Sequence, residues 1–147
     1  MPQLATTTEA NLRVRGKKGE RNHGKPLCAD RNLALFVLPR GEKEFRLISR
    51  AQSPTEARPW LDDRRELGVR VKRIVLRGAD ELHEIPLDHP SLTKGWWAVE
   101  RDGHVMSRWT NGDAVLPLPE RVSGDVILEI HLADAMTYVV EAERAAV

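Results

Sequence analysis

The run "VRVKRIVLR" (residues 69–77) alternates apolar and charged side chains with a period of two, and that period recurs through most of the chain. A period of two sends successive side chains to opposite faces of an extended strand, so each run buries one face against another layer. Here the alternation puts Val69, Val71, Arg73 and Val75 on one face and Arg70, Lys72, Ile74 and Leu76 on the other. Comparable runs are "NLALFVLP", "EFRLIS", "ELHEIPL", "WWAVER", "HVMSRWT", "AVLPLP", "DVILEIHL" and "MTYVVEA", separated by the turn signals "RDG", "TNGD", "VSGD" and "LADA". "NLALFVLP" and "EFRLIS" flank "RGEK", which predicts a hairpin with a Gly-containing turn.

About nine short strands at near-regular spacing predict an all-β fold, a single-domain β-sandwich that is jelly-roll-like. Two segments carry some helical character, "SPTEARPWLDDRREL" and "VVEAERAAV". In the first, Ser53 and Glu56 have capping-box spacing, but Pro59 would hold the helix to one turn. The 147 residues suffice for one core, and 41% hydrophobic with 31% charged residues fits a globular domain. The folded domain is expected over residues 26–147. Residues 1–25 are expected to form a flexible basic arm dispensable for folding, because its glycine-rich part, residues 11–25, offers only Leu12 and Val14 for burial. Within the arm, "LRV" is the piece able to add an edge strand.

No stretch reaches the roughly 18 apolar residues of a membrane span. The first residues lack the apolar segment of a signal peptide, so a cytoplasmic location is the default expectation. Cys28 is the single cysteine, which excludes an internal disulfide and a thiolate metal cage.

The formal net charge of +1 conceals an asymmetry: 18 Lys and Arg against 9 Asp and Glu in residues 1–77, but 5 against 13 in residues 78–147. A nucleic-acid face built from Arg13, Arg15, Lys17, Lys18, Arg21 and Lys25 would lack aromatic residues for base stacking, so no nucleic-acid partner is expected. The favoured expectation is that the two halves interleave and neutralise one another across strands. A protein partner with an acidic surface, docked by the basic N-terminal half, is the alternative.

Few residues have spacing suited to chemistry. Asp62 and Asp63 are adjacent, so on a strand they face opposite ways and do not form an acid–base pair. A carboxylate gripped by Arg64 or Arg65 would have its pKa lowered and make a poor general base. Arg58, Asp62, Arg64 and Glu100 are therefore expected to form a structural polar corner beside the strand at 69–77. The histidines at 23, 83, 89, 104 and 131 show no metal-ligand spacing, and no phosphate-binding loop or nucleophile elbow is present. No metal, cofactor or catalytic residue is expected. A glycan-modifying enzyme using Asp62, Asp63 or Glu100 with His104 remains the catalytic alternative.

The tryptophans carry more information: four of the seven aromatic residues are Trp, at positions 60, 96, 97 and 109. Trp96 and Trp97 are neighbours, so one is expected in the core and the other outside, near Trp109. An exposed indole beside Arg108, Asn111 and Asp113 suits a sugar ring, stacked on the aromatic face and hydrogen-bonded at its edge. Trp96, Trp97, Arg108, Trp109, Asn111 and Asp113 are thus the candidate ligand-binding residues.

These segments also carry a family resemblance. "RLISRAQSPTEARPWLDDRRELGVRVKRIVL", "PLDHPSLTKGWWAVE" and "SRWTNGDAVLPLP" resemble the C-terminal β module of bacterial Hint-domain (hedgehog/intein-type) proteins. They are also similar to small β modules attached to glycosyltransferases and methyltransferases of surface-polysaccharide assembly. The shared pattern is Ser49-Arg50 followed by Pro54, a "DxRxLGV" step over residues 62–69 with Arg65 added, then Gly95, Trp96 and Glu100, and Arg108-Trp109-Thr110. The blocks of the self-cleaving Hint unit, including its His-Asn pair, are absent from this sequence. The resemblance implies a non-catalytic accessory module in a glycan-associated setting, with a saccharide or surface polymer as ligand.

Overall fold

A computed structural model describes residues 5–16, 23–24, 28–30, 32–38, 43–53, 65–79, 81–119, 125–133 and 138–140. The described residues are strands and connections, without helix, and form an all-β sandwich. The strands are β1 (Ala5–Thr7), β2 (Arg13–Gly16), β3 (His23–Gly24), β4 (Cys28–Asp30), β5 (Leu33–Leu38), β6 (Glu44–Ile48) and β7 (Arg70–Arg77). They continue with β8 (Leu82–Ile85), β9 (Trp96–Asp102), β10 (Val105–Thr110), β11 (Asp113–Pro117), β12 (Val126–Leu132) and β13 (Tyr138–Val140).

Seven strands form one sheet in the order β4-β5-β12-β7-β10-β9, with β8 also paired to β7. Four form a second sheet, β11-β6-β2-β3, and β1 pairs with β13. One apolar core joins the two larger sheets: Phe36, Leu38, Val71, Ile74, Leu76, Leu128 and Ile130 from the first meet Val14, Phe45, Leu47, Ala114 and Leu116 from the second. Each such side chain larger than alanine contributes about 1.5–3 kcal/mol on burial. No helix among the described residues is long and apolar enough to cross a membrane.

Three sequence expectations change. The hairpin expected across "RGEK" does not form, because β5 pairs with β4 and β12 while β6 pairs with β2 and β11. Both strands bury alternate side chains, Phe36 and Leu38 against Phe45 and Leu47, so they contribute to opposite layers of one core rather than to one sheet. The boundary expected after residue 25 also fails as a division of the fold. β2 lies within the four-stranded sheet, between β6 and β3, and Leu12 and Val14 enter the core at 7% and 3% exposure. The third change is the parity of β7. Its register with β12 shifts between His131 and Leu132, so Lys72 and Arg73 together oppose His131. This bulge lets Val71, Ile74 and Leu76 all reach the core, whereas strict alternation would separate Val71 from the other two.

The charge asymmetry resolves across strands. Among the described residues, Arg46–Asp113, Arg65–Glu100, Arg70–Glu100, Arg73–Glu84 and Arg77–Glu129 each join a cation of the first half to an anion of the second. Two glycines shape the opposite ends of the β9–β10 pair. Gly103 (φ 63°) opens the two-residue loop between Asp102 and Val105, which closes the β9–β10 hairpin. At Gly95 (φ 84°) a Cβ would lie 2.2 Å from the Asp113 carbonyl oxygen, so only glycine lets this segment pass against β11.

Candidate tryptophan face

The β9–β10 pairing contains a second bulge, and it orients the neighbouring tryptophans. Arg108 opposes Val99 and Thr110 opposes Trp96, leaving Trp97 and Ala98 together opposite Trp109. Trp96 turns inward at 8% exposure, its Nε1–H donating to the Val115 carbonyl at 2.8 Å. Arg108 lies on the same inner side, its guanidinium 5.8 Å from the Trp96 ring centroid. It donates through Nε to the Trp97 carbonyl and through Nη1 to the Leu87 carbonyl at 2.8 Å. Burial pulls the Arg108 pKa below its ordinary value, with the charge of Asp88 opposing that shift.

The outer side of β9, β10 and β7 is built differently. Trp97 and Trp109 are both half-buried. The Trp97 Nε1–H donates to the Glu66 carbonyl at 2.7 Å, which holds the ring in one orientation. Arg65 stands 5.8 Å from the Trp97 centroid and 3.5 Å from a Glu100 carboxylate oxygen. Arg70 approaches the other Glu100 oxygen at 3.9 Å, donates to the Ser107 hydroxyl at 2.9 Å, and lies 6.0 Å from the Trp109 centroid. The result is a continuous row, Trp97–Arg65–Glu100–Arg70–Trp109, with Ser107 beside it. Both guanidiniums sit at the outer limit of cation–π contact, where such pairs contribute about 0.5–1 kcal/mol, so an incoming ring can displace them.

Of the six residues expected at a ligand site, Trp97 and Trp109 share this face. Trp96 and Arg108 are corrected to inward structural roles, because the bulge gives Trp97 rather than Trp96 the outward position and Arg108 pairs in register with Val71 of the core. Asn111 and Asp113 occupy the turn into β11: the Asn111 side-chain oxygen accepts the Asp113 N–H at 2.9 Å, and Asp113 pairs with Arg46 at 3.4 Å. Those partners engage both side chains, which stay exposed. In the expected polar corner, Glu100 is joined by Arg65 and Arg70. Arg58, Asp62 and Arg64, together with Trp60, Asp63 and most of the two segments with helical character, lie outside the described residues. His104 is exposed in the β9–β10 loop. Among the described residues no group of His, Cys, Asp and Glu is placed to hold a metal ion.

Sequence reasoning missed Arg70 and Ser107, although residue parity pointed to both: Ser107 opposes Glu100 and Arg70 opposes Trp109. It also missed Tyr138, whose buried hydroxyl donates to the Gly68 carbonyl at 2.6 Å and whose pKa is pushed up to about 12 by desolvation, against the charge of Arg50. No protein-family model, curated protein or solved structure matches this chain.

Proposed function

We propose that this chain is a non-catalytic accessory module that binds a saccharide or surface polymer on the outer face of β9, β10 and β7. The observation that carries this reading is the placement of two half-buried indoles, Trp97 and Trp109, on one face and flanking the Arg65–Glu100–Arg70 row. Stacking would come from the rings, while Arg70 and Glu100 offer donors and acceptors for hydroxyl groups and the buried Ser107 hydroxyl holds the Arg70 guanidinium in place. The face is pre-organised from below: the inward Arg108 ties the β9 backbone at Trp97, and the Trp97 N–H is anchored on Glu66. A site ordered before binding loses less entropy when occupied. Glu100 is engaged by two arginines, which suits a positioning carboxylate better than a general acid or base. Relation to the β modules of Hint-domain proteins, and with it the jelly-roll description, belongs to the same proposal and rests on the sequence segments quoted above.

The test is a titration of intrinsic tryptophan fluorescence with a panel of neutral oligosaccharides. Saturable change in the wild type, weakened severalfold by Trp109→Ala and by Trp97→Ala, supports the reading. Binding that survives both substitutions together would move the site elsewhere. Release of shortened oligosaccharides from the same mixtures would favour an enzyme and return Glu100 and His104 to consideration.

A further inference from the structure

A second face carries charge that the fold leaves unmatched. Val14 of β2 and Leu12 just before it point into the core, which sends Arg13 and Arg15 to the outer side of the four-stranded sheet. Arg15 lies directly opposite Arg46 of β6, and Arg13 opposite Ile48. Like charges directly opposed on a sheet destabilise it. Arg46 has Asp113 at 3.4 Å, with both side chains about half exposed. Arg13 and Arg15 have no acidic partner among the described residues, and the Nε of each is buried without an acceptor. A buried donor without an acceptor is costly, and native proteins keep few of them. This contrasts with the other sheet, where Arg65, Arg70, Arg73 and Arg77 all meet carboxylates.

We propose that this outer face, centred on Arg13, Arg15 and Arg46, is a binding site for an acidic polysaccharide. Strand geometry spaces Arg13 and Arg15 about 7 Å apart along β2, and Arg15 and Arg46 about 5 Å apart across the ladder. Three guanidiniums at that spacing match a chain that repeats carboxylate or sulfate groups, each able to accept the two-pronged arginine fork. Bound anions would pair with the guanidinium charges and screen the Arg15–Arg46 repulsion. A nucleic acid fits less well, because the other residues on the face, Ile48, Val115, Pro117 and the acidic Glu44 and Asp113, provide no ring for base stacking. An acidic protein fits less well too, since Val115 is already covered at 7% exposure and leaves little apolar surface for an interface core. This site does not depend on the tryptophan face.

The experiment uses the full chain, with heparin and alginate as probes and a single-stranded oligonucleotide and inorganic sulfate as comparators. Heparin or alginate should bind the wild type with an affinity that falls steeply with salt. The Arg13→Gln/Arg15→Gln variant, shown to be folded by its melting curve, should bind about tenfold more weakly per arginine removed. Trp97→Ala/Trp109→Ala should bind both polyanions as the wild type does, which separates this site from the tryptophan face. The proposal is overturned if neither polysaccharide binds at low salt, or if the double arginine variant binds as tightly as the wild type. It is equally overturned if the oligonucleotide binds as well as heparin, or if inorganic sulfate competes at equal charge concentration.

Discussion

Strand β2 provides the sharpest test of the fold, because its two faces make opposite predictions. Val14 is 3% exposed and Leu12 7% exposed, both within the shared core. Val14→Ala removes two buried carbon groups, about 1.6 kcal/mol at 0.8 kcal/mol per group, and the cavity term brings the loss to about 2–3 kcal/mol. Leu12→Ala belongs to a class that costs about 2–5 kcal/mol. The two positions are neighbours on one strand face, so their effects need not add; a combined loss of about 4–6 kcal/mol is expected. That is a large share of the roughly 5–15 kcal/mol available to a domain. At about 2–4 °C per kcal/mol for a chain of this size, the double variant should melt about 10–20 °C lower. Arg13→Ser and Arg15→Ser, one residue away on the outer face, should not destabilise the fold, because each removes a buried donor without an acceptor and Arg15→Ser also removes the repulsion with Arg46. Urea unfolding followed by tryptophan fluorescence, with thermal melting as a second measure, reads all five variants. A Leu12→Ala/Val14→Ala variant within 1 kcal/mol of the wild type would show that β2 does not belong to the core.

Two further predictions concern titration. Tyr138 is the only tyrosine, so absorbance near 295 nm reports it alone. Its folded pKa of about 12 exceeds the ordinary value of 10, so the unfolded chain ionises first and stability falls as pH rises from 10 towards 12. Phenolate should therefore develop together with loss of structure. Tyr138→Phe, which leaves the Gly68 carbonyl without its donor, should cost about 1–3 kcal/mol at neutral pH, and an unchanged melting temperature would contradict the buried bond. For His131 the sign is opposite. Burial comes first, then Arg73 and Lys72, with Arg77 adding to them and Glu84 opposing; together they hold its pKa below 6.5, and Glu129, which accepts its Nε2–H at 3.0 Å, is already paired with Arg77. As pH falls through 6.5 the unfolded chain takes up a proton that the folded chain refuses, so stability drops. His131→Gln should flatten the decline in melting temperature between pH 7.5 and 5.5, and parallel profiles for the two proteins would refute this.

The strands from β7 to β12 were legible because their alternation is local: each half-buried run needs only its own residues to show its period. The tryptophan face was partly legible. Trp97 and Trp109 follow from aromatic content and alternation, while Arg70 and Ser107 depend on which residues of separate strands come to lie opposite one another. The exchange of charge between the two halves was also foreseeable, because an excess of cations followed by an excess of anions in one compact domain invites pairing across strands.

Tertiary structure decided the rest through interactions distant in sequence. Whether β5 pairs with β6 or faces it across a core depends on β2, β11 and β12 competing for their edges, and nothing within residues 32–49 records that competition. The two bulges act in the same way. At Lys72–Arg73 and at Trp97–Ala98 one extra residue reverses the parity of the rest of the strand, bringing Ile74 and Leu76 inward and Trp97 outward. The period of a strand is written in its own residues, but the face that each residue meets is set by the register its neighbours impose.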